Sequence, residues 1–252
     1  WTQELSLKFS HEYLSACGKL PLYDTLEKLS TDGAIAAFLS RPFQLTLLLY
    51  LLTVNDRFLP SEVSNIYGLY KTFYLSWTKR ESSRGSSQLS LENLSTAHRR
   101  IALELYSQKG TPVPIDDLSR VLGIANADIN TYLTDSAFVS LLEMRNSAIF
   151  HSIDIVRFIH ETLGEYHVAD AIIEAMLRGA TETDDLLDVT YNNEVNAFIR
   201  AAYDLMNAKL RSRIVSNLST LYASLTGYSE DEAKMITAGQ NLGSDNLALP
   251  LI

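Results

Sequence analysis

Cysteine is almost absent from this chain: Cys17 is the only one among 252 residues. That excludes an intrachain disulfide and any cysteine-built metal cluster, and it makes a reducing, cytoplasmic setting the expectation. Long apolar runs are missing as well. The longest, residues 45–54, falls well short of the about 20 residues a membrane helix needs, and nothing resembles a secretory signal peptide. Positive charge is scarce, with 21 Lys and Arg against 30 Asp and Glu, a net charge of −9. The basic residues gather only at Lys79-Arg80, His98-Arg99-Arg100 and Lys209-Leu210-Arg211-Ser212-Arg213. Nucleic-acid binding rests on Lys and Arg neutralising phosphates, so neither nucleic acid nor membrane is an expected partner. A phosphate-cradling Gly-x-x-x-x-Gly-Lys-Ser/Thr loop is also lacking. The sole Gly-Lys pair, Gly18-Lys19, has Tyr13 where the first glycine belongs and Leu20 where the hydroxyl belongs. With no Gly-x-Ser-x-Gly elbow either, the chain has no means of hydrolysing a nucleotide alone, and no catalytic residue is assigned.

What is present is a 46% hydrophobic content, ample for a core. The periodicities predict a mainly α protein of three domains and a linker: a helical domain over 1–80, a linker over 81–90, a winged-helix domain with a small β-hairpin over 91–178, and the start of a second helical domain over 179–252. In the first part Leu5, Phe9, Tyr13, Leu14 and Cys17 recur at helical spacing up to a stop at Gly18, which makes Cys17 a buried small hydrophobe. Residues 21–29 form a second amphipathic piece, and Thr31-Asp32 caps a helix over 33–39. Pro42 suits a first helical turn and opens PFQLTLLLYLL, apolar nearly all round and therefore buried. Pro60-Ser61-Glu62 starts a long helix through Ile66, Tyr70, Phe73, Tyr74 and Trp77. The run from Arg80 to Ser90 carries five serines and a glycine, the composition of a linker. Then come helices over 91–108, 115–122 and 126–134, with a turn at Lys109-Gly110-Thr111-Pro112-Val113-Pro114 and a stop at Gly123. Strands are expected over 137–144 and 147–158. Three helices followed by a β-hairpin is the winged-helix order. Past an acidic turn at 181–185 the helical pattern resumes, with Phe198, Ala201, Ala202 and Leu205 on one stripe. Trp1 stands where an initiator Met would, and the chain stops at Leu251-Ile252, so a piece of a longer protein is expected.

The most chemically suggestive stretch is FIHETLGEYHVADAII, beginning at Phe158. A zinc helix of the His-Glu-x-x-His kind needs ligands four apart; here His160-Glu161 is followed by Gly164 at the second ligand position. His167 lies seven residues from His160, about 10 Å along a helix, too far to share one ion. The Glu-x-x-His pattern of carboxylate-bridged metal pairs fails for the same reason, so no metal ligand is assigned. Glu161 and Glu165 are helical neighbours, but nothing opposes them across a cleft, and a solvated acidic first turn is the plainer reading. His160 itself stands at a strand-to-helix junction, where free backbone N–H groups favour anions. Its imidazole either donates to a phosphate or caps local backbone groups.

Three motifs now bear on that choice. Arg41-Pro42-Phe43-Gln44-Leu45-Thr46-Leu47-Leu48 is similar to an Asn-Pro-Leu-x-Leu-x-x-Leu helix. Leu59-Pro60-Ser61-Glu62 through Ile66-Tyr67-Gly68-Leu69-Tyr70 is similar to the helix that follows it, and the stretch from Phe158 to Ala169 is similar to Phe-x-His-x-x-Phe-x-Glu-Tyr/Phe-x-Ala-Ala. In this order they resemble the region after the nucleotide-hydrolysing core of NACHT-type signalling NTPases of the STAND class, the ATP switches of Nod-like receptors and bacterial anti-phage sensors. Leu163 stands where that family has an aromatic residue, and Gly164 where it commonly has Gln or a similar polar one. The resemblance implies that Pro42 packs near the adenine of a bound nucleotide and that His160 contacts the β-phosphate of ADP, locking an inactive state. It implies ADP or ATP as cofactor, with Mg supplied by an upstream NACHT ATPase domain, and a homo-oligomer on activation. Two other functions compete: a winged-helix DNA-binding regulator, against which Asn126-Ala127-Asp128-Ile129-Asn130-Thr131-Tyr132 carries no basic recognition helix, and a helical protein-interaction scaffold.

Overall fold

A computed structural model describes residues 2–30, 36–37, 39–54, 63–85, 87–145, 155–179 and 191–226. The expected Thr31-Asp32 cap with most of its helix, the Pro60-Ser61-Glu62 start, residues 147–154 of the strand expected over 147–158, the acidic turn at 181–185 and everything past 226 lie outside them. The chain is mainly helical with a small antiparallel sheet. It divides into two compact units, one made of residues 1–95 and 124–144, the other of 96–123 and 145–252.

Unit one is organised by its apolar helix. α1 (Gln3–Ala16) and α2 (Leu22–Leu29) precede α3 (Pro42–Val54), and α4 (Ile66–Arg84) follows it. In α3, Gln44, Leu45 and every residue from Leu47 to Leu52 are buried, as its all-round apolar sequence requires. α4 starts at an Asn65 cap, whose Oδ1 accepts from the Gly68 amide at 3.0 Å. An aromatic cluster joins the two helices: Tyr50 meets Phe73 at 5.3 Å and Trp77 at 5.2 Å, and the Arg80 guanidinium lies 5.5 Å from the Tyr50 ring.

Of the residues expected on the buried face of α1, only Leu14 is fully buried and Tyr13 is half-buried. Leu5 is 50% exposed and Phe9 38% exposed, and Cys17 is exposed too, while Ser6, Ser10 and Leu14 are fully buried. Small hydroxyl residues allow close approach, and their O–H groups find local acceptors: Ser10 donates to the Ser6 carbonyl at 2.7 Å, and Ser6 donates to the Leu39 carbonyl. Burying them therefore leaves no hydroxyl unsatisfied, and hydrophobicity alone misassigned Leu5 and Phe9.

A second correction concerns residues 137–144, expected as one strand. Asp135 caps a single helical turn, α8 (Ser136–Val139), and only Leu142–Arg145 is extended, as β2. The capping bonds, from Ala137 N at 2.9 Å and Phe138 N at 3.1 Å, override the β preference of Phe138 and Val139. The other Asp135 oxygen accepts from Ser87 Oγ at 2.8 Å, Gln88 N at 3.0 Å and Leu89 N at 3.2 Å. The serine-rich segment is thus held to the start of α8, and α4 itself runs on through Arg84. A Cβ on Gly85 would press on the Ser136 side chain, so the two segments approach closely there.

α5 (Leu91–Ser107) crosses from unit one into unit two. It ends where Lys109 and Gly110 adopt left-handed conformations, at φ 55° and 80°. The expected turn then yields a short strand, β1 (Val113–Pro114), which pairs antiparallel with β3 (Ile155–Phe158) in the register Val113 with Val156. The sheet order β1-β3-β2 leaves β1 at an edge, where proline costs no ladder bond. Between β1 and β2 lie α6 (Leu118–Leu122), stopped by left-handed Gly123 as expected, and α7 (Ile129–Thr134). α9 (Glu161–Arg178), α10 (Asn193–Leu205) and α11 (Ala208–Thr226) complete unit two. Val195, Phe198, Ala201 and Ala202 are buried on α10, whereas Leu205, expected on that stripe, is exposed. Among the described residues no helix is long and apolar enough to cross a membrane.

Candidate functional site at the start of α9

The site begins where β3 ends. Phe158 is the last strand residue, His160 is extended at φ −146° and ψ 136°, and Glu161 opens α9. The strand-to-helix junction expected at His160 is present. Its imidazole is the N-cap: Nδ1 accepts from the Thr162 amide at 3.3 Å and lies 2.8 Å from the Thr162 hydroxyl. A ring nitrogen that accepts from a backbone amide carries no proton, so the neutral ring bears its hydrogen on Nε2. Burial lowers the His160 pKa from its ordinary value, with the Glu161 carboxylate opposing. At neutral pH the ring is therefore uncharged, with Nδ1 occupied in capping and Nε2–H a donor.

The rest of the motif is structural. A Cβ on Gly164 would lie 3.2 Å from the Phe158 ring, so the absence of a side chain lets the first turns of α9 sit against β3. Glu165 does not belong to a solvated acidic face. It is 7% exposed, and its Oε1 accepts from Asn192 Nδ2 at 2.7 Å. Asn192 also caps α10 by accepting from the Val195 amide at 2.9 Å, and its own amide donates to the Tyr106 hydroxyl at 2.6 Å. One asparagine thereby ties α5, α9 and α10 together. Tyr191 beside it meets Tyr106 at 5.5 Å, and burial with that neighbour pushes its pKa up to about 12. Sequence reasoning did not single out Asn192; its only local signal was a cap residue two positions before Glu194.

His167 is wholly buried, as is His98 of α5, and their ring centroids are 5.4 Å apart. In the sequence His98 stands in a basic cluster with Arg99 and Arg100. Its spacing from Leu94 and Ile101 places it on the apolar stripe of α5, and that periodicity could have found it. Three arginines of the basic clusters are engaged locally. Arg99 pairs with Asp170 at 3.3 Å and Glu174 at 3.9 Å, Arg100 donates to the Leu122 carbonyl, and Arg211 donates to the Met206 carbonyl at 2.9 Å. Among the described residues no three His, Cys, Asp or Glu side chains gather in a group able to hold a metal ion.

Pro42, the other expected nucleotide contact, is the first residue of α3 and is exposed, in unit one; His160 belongs to unit two. An exposed pyrrolidine face suits a heteroaromatic base, and a neutral Nε2–H at the start of an 18-residue helix suits a phosphate oxygen. No family model matches the chain, and neither curated proteins nor solved structures yield a match.

Proposed function

We propose that this chain is the regulatory part of a NACHT-type, STAND-class ATP switch that acts in the cytoplasm, in innate immune or anti-phage signalling. It is not catalytic by itself. An ATPase domain preceding it would supply the phosphate-binding loop and Mg, and the parent would be the ATPase. The observation that carries this reading is His160: a neutral imidazole that caps α9 by accepting from the Thr162 amide, with its other nitrogen a donor at the amino end of that helix. The order of elements around it also supports the reading, with helices before, a small sheet beside, and helices after.

In this scheme the His160 Nε2–H donates to the β-phosphate of ADP, and Pro42 packs near the adenine. Each residue sits on a different compact unit. A ligand held at His160 and by the preceding ATPase domain would bias which conformational state is populated. Exchange of ADP for ATP changes the contact at His160 and shifts that balance toward an oligomerising state.

The test separates the capping role from the ligand role. In the full-length parent, His160→Ala removes cap and donor together, whereas His160→Asn keeps a good capping side chain and loses the imidazole. Weakened ADP retention and raised basal signalling in both variants are the expected results. Unchanged ADP affinity in the Asn variant would refute the assignment, whatever the Ala variant does.

A further inference from the structure

The nucleotide reading uses one histidine of α9. The other, His167, lies two turns further in and forms a closed cluster with His98 of α5. Phe158 of β3 stacks on the His167 ring at 5.3 Å with planes 24° apart, and stands 6.1 Å from the His98 ring. Tyr166 closes the next side edge-on at 4.9 Å and is backed by Phe198 of α10 at 5.9 Å. Both imidazoles are fully buried in this aromatic box. A core built only for stability would place leucine or phenylalanine here, and departures from that rule concentrate at functional positions.

The charges around the box set its response to acid. From α5, His98 and Arg99 both disfavour a proton on His167. From α9, Asp170 and Glu174 are engaged with Arg99, and Glu165 is held by Asn192. β3 and α10 contribute the rings of Phe158 and Phe198. Burial first, then His98 and Arg99, hold the His167 pKa well below its usual value.

We infer that His98 and His167 form an acid-sensitive lock that joins α5, β3 and α9 when both rings are neutral and releases α9 when one is protonated. A proton on either ring would put a second cation beside Arg99 inside an aromatic enclosure, where ionic hydration is lost. Opening the box restores water to the ring. The lock does not depend on the nucleotide reading and would operate in a protein that binds no nucleotide.

The sign follows from linkage. The folded form of His167 binds protons less readily than the unfolded form, whose pKa is about 6.5. Its contribution to stability is therefore constant above that pH and declines as the pH falls below it. For one imidazole the ratio of folded to unfolded chain drops about tenfold per pH unit across the window.

Urea unfolding of the chain between about pH 7.5 and pH 5, in the wild type and in His98→Leu/His167→Leu, tests the lock. The wild type should lose stability more steeply by at least about tenfold per pH unit, and the double variant should be flatter by that amount. His160→Asn in both backgrounds removes the separate titration of the capping ring. Equal slopes in wild type and double variant would overturn the proposal. Should the double variant not fold, imidazole C–H resonances of the wild type give the answer. Both buried rings should stay at neutral chemical shifts until α9 opens; a ring that titrates near pH 6.5 in the folded chain would equally overturn it.

Discussion

Asp135 is 1% exposed and accepts five hydrogen bonds, three on one oxygen and two on the other. Burial pushes its pKa up, but the bonds from Ser87, Leu89, Phe138 and Gln88 outweigh that and hold it below the usual carboxylate value. Asp135→Ala loses a helix cap and leaves several donors without an acceptor, so a cost of about 3 kcal/mol is expected in chemical denaturation. Asp135→Asn retains one acceptor oxygen and should cost about half as much. Because the folded pKa is depressed, this stabilisation is complete above about pH 4 and is lost as the pH falls through the folded value. An acid titration should therefore destabilise the wild type more than Asp135→Asn below that pH. Gly164→Ala sets two effects against each other. Alanine gains about 1 kcal/mol in helix preference, but its methyl meets Phe158, which is hemmed in by the His167 and His98 rings. Overpacking costs about 1–3 kcal/mol, so a net loss of about 1 kcal/mol is expected from thermal unfolding.

At the scale of the element, α1 shows where periodicity stops being decisive. Two stripes run along it one residue apart, Leu5-Phe9-Tyr13 and Ser6-Ser10-Leu14, and the less apolar one is buried. Leu5→Ser should change stability by less than about 0.5 kcal/mol, as for exposed positions. Leu14→Ala should cost about 2–5 kcal/mol, since it opens a cavity at a fully buried site. The reverse ranking would mean that the Leu5 side of α1 is the buried one. α3 left no such ambiguity, because a helix apolar on every side has no wrong face. α8 and β1 are short elements whose local signals point elsewhere, Phe138-Val139 toward a strand and Pro112-Val113-Pro114 toward a turn. In each, a bond to a distant segment or a tight cap determined the conformation.

For the molecule as a whole, the charge of −9 and the local use of Arg99, Arg100 and Arg211 oppose a role on nucleic acid. A titration of the chain with duplex DNA at low salt should be flat, because binding of that kind scales with the number of phosphates neutralised. A salt-sensitive isotherm would instead favour the winged-helix regulator. Under the proposed nucleotide reading, folding variants at Asp135 and Leu14 should alter stability without a specific change in ADP retention, whereas His160→Asn should alter retention with little change in stability.

By itself the sequence determined the mainly helical class, the burial of α3, the stops at Gly110 and Gly123, and the junction at His160. Each of these follows from interactions within a few residues: an apolar surface all round, a backbone only glycine adopts easily, a side chain one turn from free amides. The tertiary structure alone decided which stripe of α1 is buried, that Glu165 serves Asn192 rather than water, and that His98 and His167 share one box. Those outcomes depend on partners many positions away in sequence. Spacing along one helix can propose which face carries a residue, but the groups that meet it come from other elements, and only packing brings them there.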